Sequence, residues 1–152
     1  MVAIDTDVLL LAFAFHNDQR QPKNTQFLAM VQEGQPAVAI YSVMELLGQL
    51  SFNLSADRLI QWPSWLRDRY QLTILYPQVA GLSAEQFFSR ELVDRPLEKM
   101  HQRMPFMDTL ILNLIEAASA VDTFVTWNAR HFKEKTSIAV VTPAQYVASS
   151  SV

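Results

Sequence analysis

Residues 1–13 read MVAIDTDVLLLAF: a short apolar run, Val2-Ala3-Ile4, then two aspartates flanking Thr6, then an unbroken apolar stretch over residues 8–15. A buried strand passing directly into a buried helix accounts for both apolar halves and leaves Asp5 and Asp7 at the turn between them. The same kind of short run, mostly β-branched, returns at residues 37–40, 72–75, 123–126 and 138–141. Between these runs lie stretches with helical spacing, at residues 7–16, 23–33, 42–50, 55–70, 83–102 and 105–120. Short strands alternating with helices predict an α/β three-layer sandwich, with a mainly parallel sheet of four to five strands flanked by helices. Pro63 and Pro96 fall inside two of the helical stretches and predict kinks or breaks there, while Pro143 is placed to start a last short helix through Ala148.

A chain of 152 residues buries one sizeable core, and no Gly/Ser-rich or Pro-rich linker divides it. A single domain over residues 1–148 is expected, with 149–152 as a frayed tail and residues 17–23 as a polar turn. The absence of Cys removes disulfides, thiolate nucleophiles and Cys-based metal sites, and fits a reducing cytoplasm. The longest apolar run falls far short of the ~20 residues of a membrane-spanning helix, so no membrane association is expected. A net charge of −3 and a pI near 5.5 argue against nucleic-acid binding through bulk charge, and leave room only for a local basic patch.

Open parallel sheets carry their ligand sites at the carboxyl ends of the strands, so polar residues there are the candidates for chemistry. Asp5 closes the first strand. Thr6 or Asp7 would cap the following helix, which leaves one acid more than capping requires. Glu45 stands in Ser42-Val43-Met44-Glu45, a spacing that reads either as a capping box or as a carboxylate in the first turn of a helix leaving the site edge. Asp108 follows Pro105 and precedes the apolar stripe Ile111, Leu112 and Ile115, on the core-facing side of a helix amino terminus. Asn128 ends the fourth strand, either as a cap or as a fourth group at the same edge. Crowded carboxylates repel one another unless protonated or bound to a cation, and all-oxygen ligands suit Mg²⁺ or Mn²⁺. Such a cation activates water and neutralises charge on a phosphoryl group, which makes phosphodiester hydrolysis the matching chemistry.

These segments (AIDTDVLL, SVMELLGQL, MDTLILNLIEAASA, VDTFVTWNARHF and IAVVTPAQYV) resemble, in order and spacing, the PIN-domain family of metal-dependent nucleases, in particular the VapC-like toxin ribonucleases. The resemblance implies a ribonuclease that hydrolyses single-stranded or looped RNA, with Asp5, Glu45 and Asp108 as metal-binding acids and Asn128 where many members carry a fourth acid. The amide supplies no negative charge, and Asp7 or Asp122 is the residue placed to compensate. The resemblance also implies a homodimer and an antitoxin protein as partner. Arg130, His131, Lys133 and Lys135 are candidates to meet substrate phosphates or, equally, form a solvated helix face. Trp62, Trp65 and Trp127 read as core or interface residues, because no basic residue interleaves with them. The Met- and Phe-bearing residues 100–107 suit a dimer contact, an antitoxin groove or core packing. Two other readings stand beside the nuclease: a catalytically weak PIN domain serving as an interaction module, and a haloacid dehalogenase-like phosphatase built on Asp5-x-Asp7.

Overall fold

In the computed structural model, which describes residues 1–150, the opening run forms β1 (Val2–Ile4), the middle strand of a five-stranded sheet. The others are β2 (Ala37–Ala39), β3 (Thr73–Leu75), β4 (Thr123–Val125) and β5 (Ala139–Val141), in the order β3-β2-β1-β4-β5 with every pairing parallel. Ile4 lies opposite Val38 on one side and Val125 on the other. The architecture is the expected α/β sandwich, with shorter strands than the apolar runs suggested. Ile40 already belongs to a helix, and Thr126, whose amide still donates to the Val141 carbonyl at 3.1 Å, lies past the end of β4 with its hydroxyl on a carboxylate.

Alternation along the strands divides the core in two. On one face Ile4, Val38 and Val125 pack against Val8 and Leu9 of α1 (Thr6–Ala14), Phe27 of α2 (Gln21–Gln32) and Leu46 of α3 (Ile40–Leu50). Leu66 of α4 (Ala56–Tyr70) closes that side. On the other face Ala3, Ala37 and Ala39 present small side chains, and Ile111, Leu112 and Ile115 of α7 (Phe106–Ala117) pack there with Phe124 and Phe132. Every residue from Thr109 to Ile115 is buried, as expected for a helix laid on a sheet of small residues.

Pro63 sits within α4, which continues through it. The stretch 83–102 is broken near Pro96, as expected, into three pieces: α5 (Ala84–Phe88), a π-helical segment (Ser89–Asp94) and α6 (Arg95–Met100). Pro96 has no N–H to continue an α-ladder, and just before it the Arg95 N–H donates to the Arg90 carbonyl five residues back. A short α8 (Ala129–Phe132) follows β4, and α9 (Pro143–Ser149) is opened by a capping box in which the Gln145 amide donates to Thr142 Oγ1 at 3.2 Å. This last helix includes Ser149. Of the expected tail, Ser151 and Val152 lie outside the described residues. Among the described residues no helix is long and apolar enough to cross a membrane.

Candidate active site

The β1–α1 turn is built by its two aspartates in different ways. The Asp5 amide donates to the Val125 carbonyl at 3.0 Å, which continues the sheet, and its Oδ1 accepts from the Thr6 amide at 2.8 Å. Asp5 is therefore itself the cap of α1, in place of the expected Thr6 or Asp7. Asp7 reaches across to the next turn: its Oδ2 accepts from Thr126 Oγ1 at 3.0 Å and from the Asn128 amide at 3.1 Å. Its Oδ1 and Thr6 Oγ1 are buried with no protein partner among the described residues.

The capping box expected at Ser42 and Glu45 does not form. Because α3 starts at Ile40, directly after β2, Ser42 lies inside the helix with its Oγ buried and Glu45 falls in the second turn. That leaves the half-buried Glu45 carboxylate free of the cap. Asp108 is the third residue of α7, half-buried, with Pro105 at the cap position instead of in the first turn. Asn128 holds the cap position of α8 without a side-chain cap bond and is exposed.

Asp5, Asp7, Glu45, Asp108 and Asn128 line one cleft of about 140 Å³ at the carboxyl edge of the sheet. All four positions singled out in the sequence meet there, with Asp7 as a fifth. Asp122 does not: it precedes β4 at the opposite edge, where its Oδ2 takes the Met1 amino group at 2.8 Å. Burial holds the Asp5 carboxyl well above the usual carboxylate range, and the charges of Asp7 and Asp108 add to the effect. Burial also raises Asp7, against the hydrogen bonds from the backbone and Thr126. Asp108 is raised by burial, with His131 opposing and Glu45 reinforcing. The cleft thus concentrates negative charge at a cost that a bound cation or proton would relieve. Among the described residues no three His, Asp or Glu side chains form a ready-made metal-binding group.

The basic residues around the cleft take distinct places. His131 Nε2 lies 3.2 Å from Asp108 Oδ2, within ion-pair reach of a carboxylate of the site but without hydrogen-bond geometry. Arg130 and Lys133 are exposed on a shallow depression that adjoins the cleft at Asn128. The Lys135 carbonyl takes Lys99 Nζ at 2.9 Å, and Lys99 also pairs with Glu116 at 2.8 Å, which ties the segment after α8 to α7. Arg20 was not foreseen. Its guanidinium stacks 5.6 Å above the Trp127 ring, is gripped by Asp18 at 2.7 and 2.9 Å, and feels the charge of Asp7. Arg20 in turn holds the Asp18 carboxyl down at about 2. Trp127 Nε1 donates to Asn24 Oδ1 at 2.7 Å. The expectation that no basic residue accompanies a tryptophan therefore fails at Trp127, because Arg20 arrives from a remote loop. Trp62 meets Phe13 edge-on at 4.8 Å, and Trp65 lies tilted against the same ring at 5.5 Å. In residues 100–107, Met104 joins the core whereas Met100 and Phe106 remain exposed.

No protein-family model matches the sequence, and no curated protein does. The fold itself has solved counterparts. A chain of VapBC2 from Rickettsia felis, in a crystal structure bound to a DNA fragment from the promoter, superposes with a TM-score of 0.61 at 20% identity, covering 93% of this chain and 98% of that one. A chain of FitAcB from Neisseria gonorrhoeae gives the same TM-score at 15% identity, covering 94% and 98%.

Proposed function

We propose that this protein is a metal-dependent endoribonuclease of the PIN-domain, VapC-like type, the toxin of a toxin–antitoxin pair. The observation that carries the reading is the gathering of Asp5, Asp7, Glu45 and Asp108 beside Asn128 in one cleft at the carboxyl edge of a parallel sheet. The likeness of fold to chains of VapBC2 and FitAcB supports it.

The donor set fits a hard divalent cation. Every candidate ligand is an oxygen, and the buried, unpartnered Asp7 Oδ1 and Thr6 Oγ1 are suited to accept and donate hydrogen bonds within a retained hydration shell. Asp5, Glu45 and Asp108 are the residues to hold Mg²⁺ or Mn²⁺, with Asn128 positioning the ion or a water. When bound, the ion supplies an activated water and offsets charge on the phosphoryl group. The chain's own groups do the rest. Thr126 Oγ1 and the Asn128 amide keep Asp7 fixed, and His131 orients Asp108. Arg130, Lys133 and Lys135, with Arg20 on the Trp127 side, meet the phosphates of single-stranded or looped RNA.

Phe52, between α3 and α4, and Ile60 and Trp65, on α4, are 89%, 78% and 45% exposed, apolar side chains suited to contact an antitoxin segment or a second copy in a cytoplasmic homodimer. A second reading, an interaction module with little catalysis, is favoured by one observation: the fourth position is the uncharged, exposed Asn128. The test is Mn²⁺-dependent cleavage of a single-stranded RNA by the wild type and by Asp108→Asn, with p-nitrophenyl phosphate as a monoester control. RNA cleavage lost in a folded variant, without monoester turnover, supports the nuclease. A folded wild type that leaves RNA intact supports the interaction module, and monoester turnover points to the phosphatase.

A further inference from the structure

A second concavity, of about 400 Å³, shares no lining residue with the carboxylate cleft. Part of its wall is apolar, with Leu75 at the end of β3, Phe87 of α5 and Leu114 and Ala117 of α7. Its polar side comes from the π-helical segment. In that geometry residues five apart are bonded and stand on one side of the helix, so Arg90 and Arg95 face the same hollow. Glu91, 7% exposed, also lines it. The carboxylate accepts from Tyr41 Oη at 3.2 Å and faces Arg95 Nη1 at 3.6 Å. Buried near that carboxylate, the Tyr41 hydroxyl is held well above its ordinary range. One guanidinium is therefore balanced by Glu91. Among the described residues the Arg90 guanidinium has no hydrogen bond or ion pair, and leaves one positive charge at the edge of the hollow. The volume lies within the roughly 300–1,000 Å³ usual for small-molecule sites.

We infer that the pocket between the π-helical segment, the end of β3 and the carboxyl half of α7 binds a small amphipathic anion, a ring-sized apolar body carrying a carboxylate or a phosphate. The body lies against Leu75, Phe87 and Leu114, and the charged head meets Arg90, whose planar donors match either anion. Both α3 and α7 touch this region, through Tyr41 and Leu114, and the same helices carry Glu45 and Asp108 at the cleft.

The test is amide-resolved NMR titration of the full chain with benzoate, phenyl phosphate and the neutral benzyl alcohol. Saturable shifts at residues 75–82 and 87–95 are expected for the anions, with benzoate and phenyl phosphate separating the two head groups and the alcohol binding about tenfold or more weakly. Arg90→Gln, at an exposed position, weakens the anions about tenfold, and Ala117→Trp abolishes their shifts by filling the hollow. Equal affinity for the alcohol, unchanged binding in Arg90→Gln, or anion shifts confined to the Arg130 and Lys133 surface would overturn the inference. Because the two pockets share no residue, this result is independent of RNA cleavage.

Discussion

Replacing Asp5 separates two roles that one side chain performs. Its Oδ1 caps α1 through the 2.8 Å bond from the Thr6 amide, and its charge sits buried next to Asp7. Asp5→Asn keeps an acceptor for the Thr6 amide and removes the charge; Asp5→Ala removes both. Losing an N-cap costs about 1 kcal/mol, and in a domain of this size 1 kcal/mol moves Tm by roughly 2–4 °C, so Asn should melt above Ala by about that much. The charge adds a pH-dependent difference. Burial raises the folded-state carboxyl above its unfolded value, so the folded protein binds more protons and its stability falls as pH rises through the raised value. Asp5→Asn should therefore be more stable than the wild type at neutral pH in the presence of a chelator, and its advantage should shrink as pH falls to the ordinary carboxylate range. Thermal melts monitored by circular dichroism across pH read both effects. Equal Tm for Asn and Ala would refute the cap, and an Asn variant less stable than the wild type at neutral pH would refute the strained carboxylate.

Two further variants probe the scaffold that aims the site. Phe124→Ala empties the face between β4 and α8, where the ring meets Phe132 edge-on at 5.1 Å, and should cost about 3–5 kcal/mol in urea unfolding. Trp127→Phe keeps the ring under Arg20 but strands the buried Asn24 Oδ1 without its 2.7 Å donor, at a cost of about 1–3 kcal/mol in the same assay.

The strand–acid–helix opening was legible because buried parallel strands announce themselves as short apolar runs, and each run points its carboxyl end at the site. This rule places Asp5, Glu45 and Asn128 at that edge, and the amino terminus of the helix leading into the fourth strand places Asp108 there. What the sequence hid was local competition and remote contact. Ser42-x-x-Glu45 has capping-box spacing, yet β2 passes into α3 two residues early and buries Ser42 inside the helix. The stretch 83–102 has continuous helical spacing, and only a shift of the backbone ladder before Pro96 turns its middle into a π-helix. Arg20 reaches Trp127 through the fold, from a loop whose only local signal is its pairing with Asp18. In the sequence Asp7 reads as a helix cap or a substitute for a missing charge and not as a tie between turns, because its hydrogen bonds to Thr126 and Asn128 join turns far apart in the chain.

The central claim is that the carboxylate cleft exists to hold a divalent cation. Calorimetric titration of Mn²⁺ into the wild type and into Asp108→Asn, each verified as folded, tests it most directly. Saturable binding to the wild type should disappear in the variant. A folded wild type that takes up no Mn²⁺, or an Asp108→Asn variant that binds it equally well, would contradict the claim and leave Asp5 and Asp7 as residues that cap one helix and tie two turns together.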